Sequence, residues 1–245
     1  MRKIRPYLAQ TATELRLSLR QGEQMLVSLG IPLLLLVFFS LVDVLPKPAG
    51  VEKPVDFLAP GILALAVMST SMVSLGIGTG FERHYHVLKR LGATPLGRPR
   101  LIAAKLTVVL VIEALQFALI ILAAVALGWH PSGRATLAVP AIIAGTAAFA
   151  GIGLLMAGTL RGTVTLALAN ALYILLLLLG GMIVPLDKLP GPVQITAELL
   201  PAAALSQIMA SAFDYGTSVP ANTWAVLVAW AFGAPLLAAA TFRWD

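Results

Sequence analysis

The chain has 245 residues, of which 59% are hydrophobic and 11% charged, with a mean hydropathy of +0.92. Soluble domains hold roughly 25% charged and roughly 45–50% apolar residues, so this composition excludes a soluble globular protein and defines an integral membrane protein. The net charge of +6 comes from basic residues in short segments beside apolar runs, where they set topology and attract anionic lipid; nucleic acid is not the partner it implies. With no cysteine, disulfides and thiolate chemistry are excluded.

Residues 1–23 carry Ile4, Leu8, Ala12, Leu15 and Leu19 at helical spacing among Arg2, Lys3, Arg5, Arg16 and Arg20. That pattern predicts an amphipathic helix lying along the cytoplasmic interface. A secretory signal does not fit, because the apolar run begins too late and no small-residue cleavage pattern follows. A plain N-terminal tail is the alternative.

A spanning helix needs about twenty mostly apolar residues. Six windows satisfy this, at 24–43, 57–80, 101–127, 136–160, 163–184 and 222–242. Pro32, Pro60, Pro140 and Pro235 fall in or near four of them, which lipid-embedded helices tolerate. With the N-terminus inside, thirteen Lys and Arg face the cytoplasm and four face out. Both termini are therefore expected in the cytoplasm.

The second and third windows are joined by a polar stretch from Phe81 to Leu96, with Arg83, Lys89, Arg90, Arg98, Arg100 and Lys105 set against the single acid Glu82. His84, Leu88 and Leu91 share one side of a helix by their spacing. Gly92 suits a left-handed helix end, Thr94-Pro95 an extended turn, and Pro99 the first turn of the next helix. The expectation is a helix of three turns ending at Gly92, a tight turn, and a new helix. An ordinary solvated loop obeying the charge bias is equally compatible with the composition.

Outside, residues 44–56 and 128–135 are short, whereas 185–221 is long and half apolar, with Pro185, Pro190, Pro192 and Pro201 interrupting it. Two short re-entrant helices dipping into the outer leaflet would explain that composition. Gly76 and Gly80, and Ala147 and Gly151, form small-xxx-small pairs, for which packing within the chain is favoured over a subunit interface.

Glu113 is the one acid near the middle of a span, with Gln116 one turn on. An acid at a helix centre is disfavoured by about 2.5–3.5 kcal/mol, so Glu113 needs a partner, a proton or water. A polar substrate pathway and a hydrogen bond between helices are both open. Asn170 and Tyr173, one turn apart in the fifth window, raise the same question. His84 and His86 point to different sides of a helix, and no cluster completes a metal shell. Gly76-Ile77-Gly78-Thr79-Gly80 lies inside a span and lacks the strand–turn–helix context of a nucleotide site. No Gly-x-x-x-x-Gly-Lys-Ser/Thr occurs, so the chain itself is not expected to be an enzyme.

Phe81-Glu82-Arg83, Leu88-Lys89-Arg90-Leu91 and Ala93-Thr94-Pro95-Leu96 resemble the cytoplasmic segment of ABC-2 type exporter permeases. Gly180-Gly181-Met182-Ile183-Val184-Pro185-Leu186, followed by Leu189-Pro190 and Leu200-Pro201, resembles that family's motif after the fifth span. The resemblance covers the whole chain, 1–245, as a single transmembrane domain. It departs at His86-Val87, where the family often has Gly-Thr. It implies a permease that forms a homo- or heterodimer and recruits two ATPase subunits, which bind ATP and magnesium. Residues 81–100 would be the coupling segment, with Glu82, Arg83, His84, Leu88, Lys89, Arg90, Leu91, Thr94, Pro95 and Leu96 at the ATPase contact. Within the family the nearest likeness is to daunorubicin-type drug and antibiotic-resistance exporters of bacterial plasma membranes. Export of lipids, glycan precursors or sodium stays open, because substrate is poorly encoded in permeases this short.

An ion- or proton-coupled secondary transporter using Glu113 is the alternative, although no internal repeat supports it. A non-transporting scaffold is a third reading. The charge bias gives a direct test of topology. Single cysteines at Gly50 and Thr217 should react with an impermeant thiol reagent from outside sealed cells, and one at Gly97 should not; outside labelling at Gly97 would reverse the orientation.

Overall fold

The computed structural model describes residues 5–20, 22–42, 53–92, 94, 97–131, 135–213 and 219–244, with the side chains of 5, 22–27 and 135 outside that description. Among the described residues the chain is helical throughout, without strands. Its helices are α1 (Arg5–Arg20), α2 (Gly22–Leu41), α3 (Pro54–Met68), a π-helical segment (Ser69–Ser74), α4 (Leu75–His84) and α5 (Val87–Gly92). They continue with α6 (Arg98–Ala126), α7 (Ala138–Thr159), α8 (Gly162–Leu179), α9 (Gly191–Glu198), α10 (Pro201–Phe213) and α11 (Ala221–Thr241).

Five helical runs among the described residues are long and apolar enough to cross a membrane: Pro54–His84, Arg98–Ala126, Ala138–Thr159, Gly162–Leu179 and Ala221–Thr241. The described apolar part of α2, Ser28–Leu41, is shorter. Helices α9 and α10 meet at a bend of 84°. A broken span and a re-entrant pair both fit that bend, and α10 buries Pro201, Ala202, Leu205, Ile208 and Met209 in the bundle.

The run Pro54–His84 is the most enclosed element. Its small residues explain how. An added Cβ on Gly76 would lie 3.1 Å from Gly153 Cα, and one on Gly153 would lie 2.6 Å from Met72 O. Gly151 likewise faces the backbone of Ala234 and Pro235, and Gly80 faces Thr165. The small-residue pairs therefore serve packing inside the chain, letting helix backbones approach closely where lipid supplies no hydrophobic drive. Outward, α8 and α11 present Val164, Leu168, Ile174, Phe232 and Leu236.

Two local expectations are corrected. Gly92 lies within α5, and the left-handed conformation belongs to Gly97 (φ 72°), which caps the start of α6. The three-turn helix ending at Gly92 is interrupted: the span continues to His84, and the chain turns at Tyr85 and His86, the latter at φ 57°. Tyr85 N–H donates to Phe81 O and His86 N–H to Arg83 O, closing α4, and the left-handed residue redirects the chain so that Leu88 turns inward. Pro99 stands in the first turn of α6 as its missing N–H favours. A cysteine at Gly97 would be strained by its φ, so exposed Thr94 is the better labelling position.

The close approach of α7 to the π-helical segment makes a measurable claim. Gly153→Ala should destabilise by about 1–3 kcal/mol through overpacking. Gly78→Ala, with nothing within 4 Å of its added Cβ, should be neutral or stabilise by up to about 1 kcal/mol through helix propensity. Thermal unfolding in neutral detergent compares the two; equal effects would refute the packing account.

Candidate functional site

The polar stretch after α4 forms a compact platform. Leu88 is 0% exposed and packs with Leu101 at the start of α6, ringed by Tyr7, Leu91, Phe242 and Trp244. This corrects the expectation that Leu88 faces outward to a partner. Its spacing with Leu91 rightly gives a shared apolar side, but that side seats α5 on the protein's own helices. The exposed side carries His84, Tyr85, His86, Lys89, Arg90 and Thr94. Tyr85 is 63% exposed, stacked on Phe81 with ring centroids 6.3 Å apart and edge-on to His84 at 5.1 Å. Pro95 and Leu96 lie outside the described residues.

Glu82 and Arg83 are fasteners at the end of α4. Lys105 Nζ, on α6, donates to Glu82 Oε1 at 2.7 Å and to Glu14 Oε1 and Oε2 at 3.1 and 3.2 Å. One ammonium thus joins α1, α4 and α6. Tyr7 OH and Thr107 Oγ1, 2.5 Å apart, add a second tie between α1 and α6. Along α1, Tyr7, Gln10, Thr11, Glu14 and Leu15 are half-buried, while Leu8, Leu17 and Leu19 are exposed. Arg83 faces away from this cluster and donates Nη1 to Gly158 O and Nη2 to Leu160 O. Those carbonyls end α7 and lack helical partners, so the guanidinium fork satisfies them and complements the helix dipole. Beside it, Arg98 lies over the Trp244 ring at 4.9 Å.

The candidate pathway residues divide. Glu113 is 1% exposed, with Thr146 Oγ1 donating to its Oε2 at 2.8 Å. Its Oε1 is buried without a partner among the described residues. Gln116 accepts from Thr70 Oγ1 at 2.7 Å and donates to Ser28 O at 2.9 Å, linking α6 to the π-helical segment and α2. Both side chains are enclosed, so in this conformation they bind helices together. Asn170 is exposed on α8 and donates to Leu166 O one turn back, while Tyr173 is half-buried.

Several contributors escape a reading of sequence alone. Glu14, Thr70, Thr146, Tyr7 and Trp244 matter because of residues distant in the chain. Only the need of Glu113 for a partner could have signalled Thr146.

Five or six long apolar helices around a polar centre, with a charged platform at one end, define a multi-pass membrane protein. The ABC-2 type transporter family profile matches residues 7–213, and the chain belongs to that family. It is thus a membrane transport component of an ABC transporter and not its catalytic domain. No curated protein matches the chain.

The shared ammonium yields the test of this platform. Lys105→Met leaves two facing carboxylates and should cost about 3–5 kcal/mol of stability. Adding Glu14→Gln and Glu82→Gln should restore most of it. A triple variant that unfolds as early as the single one would show that packing of the lysine stem matters and its charge does not.

Proposed function

We propose that this chain is the permease subunit of an ATP-driven exporter, moving drugs, antibiotics or amphipathic lipids outward from the cytoplasm or inner leaflet. Two permeases, identical or paralogous, pair with two separate ATPase subunits that bind ATP and magnesium. The observation carrying this reading is the ledge of His84, Tyr85, His86, Lys89 and Arg90, exposed on a short helix whose other side is anchored by Leu88. Displacing that ledge moves α4 and α6 together, since α5 is joined to both.

The charge bias supports placing this end, with α1 and the end of α11, in the cytoplasm of a bacterial plasma membrane. Six spans follow if α2 crosses with the five longer runs, and α9–α10 then lie on the outer side as a re-entrant pair. Tyr85 supplies a rigid aromatic anchor of the type enriched in binding hot spots, and Lys89 and Arg90 steer an acidic cleft toward it. Enclosure of Glu113 favours this reading over a secondary transporter built on that carboxylate. The substrate path is expected to be completed by the second permease, on the face where α8 exposes Asn170.

Anchoring and docking residues should separate in experiment. Tyr85→Ala should weaken co-purification of the partner ATPase by roughly thirtyfold, the loss of about 2 kcal/mol typical of a hot spot. The same variant should shift unfolding stability by less than about 0.5 kcal/mol. Leu88→Ala should cost about 2–5 kcal/mol of stability instead. Substrate-dependent ATP hydrolysis and export at the wild-type level in Tyr85→Ala/Lys89→Glu/Arg90→Glu would remove the ledge from the coupling path.

A further inference from the structure

A second basic site lies on the other side of α4, where the fold brings three arginines to the junction of α7 and α8. Arg83 is fixed by the carbonyls of Gly158 and Leu160. Arg243 follows α11 and donates its backbone N–H at 3.1 Å to Gly158 O, the same carbonyl that Arg83 holds. Arg161 occupies the cap position of α8. The first bond of that helix is Thr165 N–H to Arg161 O at 2.8 Å, so the N–H groups of Gly162, Thr163 and Val164 have no partner within it.

No carboxylate answers this charge among the described residues. Their ion pairs involve Lys105 with Glu14 and Glu82, and Lys188 with Asp187. Arg161 and Arg243 are exposed. Arg83 and Arg243 meet at one carbonyl, and Arg161 adds a third positive charge at the start of α8, where a helix dipole also favours an anion. Apolar surface begins immediately alongside: Val164 and Leu168, one turn apart on α8, are both exposed, as is Leu175 two turns further. A ligand that suits both parts has a phosphate at one end and a hydrocarbon chain at the other.

We propose that Arg83, Arg161 and Arg243, with the start of α8, bind the phosphate of an anionic phospholipid in the leaflet at the α5 end, its acyl chain lying along Val164, Leu168 and Leu175. Arg83 supplies charge from a fixed position, while Arg161 and Arg243 close on the headgroup. Basic pockets between spanning helices at the charged membrane face hold headgroups by the same physics. The site adjoins the ledge at His84, which packs against Gly162, but its lipid test does not depend on the ledge's role.

The test uses the full-length protein in phosphatidylcholine nanodiscs, titrated with phosphatidylglycerol and read by native mass spectrometry. Wild type should retain phosphatidylglycerol over phosphatidylcholine. Arg161→Ala/Arg243→Ala should reduce that retention about thirtyfold, the effect of two interfacial arginines. Its unfolding temperature in phosphatidylcholine alone should stay unchanged. Arg161→Lys/Arg243→Lys, which keeps the charge, should retain the lipid. Equal retention in the alanine variant and wild type, or no preference in wild type, overturns the proposal. Displacement of the lipid by glycerol 1-phosphate at equal concentration would mean a soluble phosphate site and overturn the lipid assignment.

Discussion

The architecture depends on the near contact of two backbones, α7 at Gly153 and the π-helical segment at Ser71 and Met72. Lipid tails are as apolar as leucine, so no hydrophobic force drives these helices together, and van der Waals contact between backbones must do so. A side chain at 153 would displace α7. Its next partners would move with it, because Gly151 rests on Ala234 and Pro235, and Gly158 rests on Phe242. Phe242 in turn packs around Leu88. A single chain of close contacts therefore runs from the middle of the bundle to the seat of α5.

The π-helical turns take their place in that chain through the hydroxyls they carry. Ser71 Oγ donates to Val67 O, and Thr70 reaches across to Gln116. Such segments widen a helix locally and release backbone groups from their usual partners. Lys105, Glu113 and Gln116 recur along one stripe of α6, and each bonds a different helix: α4 and α1, α7, and the π-helical segment with α2. Helix α6 is thus the strut to which the rest of the bundle is tied by polar contacts. An acid at its centre is tolerable because Thr146 donates to it from α7.

What was legible in the sequence is what short range determines. Apolar runs mark the long helices, Pro99 marks the start of α6, and the spacing of Leu88 and Leu91 marks a common face. Spacing identifies a face without saying what it meets. Leu88 meets Leu101 and Trp244, residues that sequence separation hides, and so the face runs inward. Histidine takes a left-handed turn more readily than most residues, yet His84 is two positions away, and the path that buries Leu88 selects His86. Gly92 and Gly97 are equivalent by composition, and only the tertiary path selects the second for φ 72°. Glu113 shows by itself that it needs a partner, whereas Thr146 looks like any small polar residue in a small-residue span.

Glu82 and Arg83, adjacent in sequence, point to different sides of α4 and bind different parts of the molecule. Glu82 engages Lys105 and through it α1, while Arg83 grips the end of α7. Adjacent helical residues lie about 100° apart around the axis, so the pair is well placed to divide a load. Both fastenings are charge-assisted and largely shielded from solvent, which makes each costly to break singly. The end of α4 is thus tied at once to α1, α6 and α7.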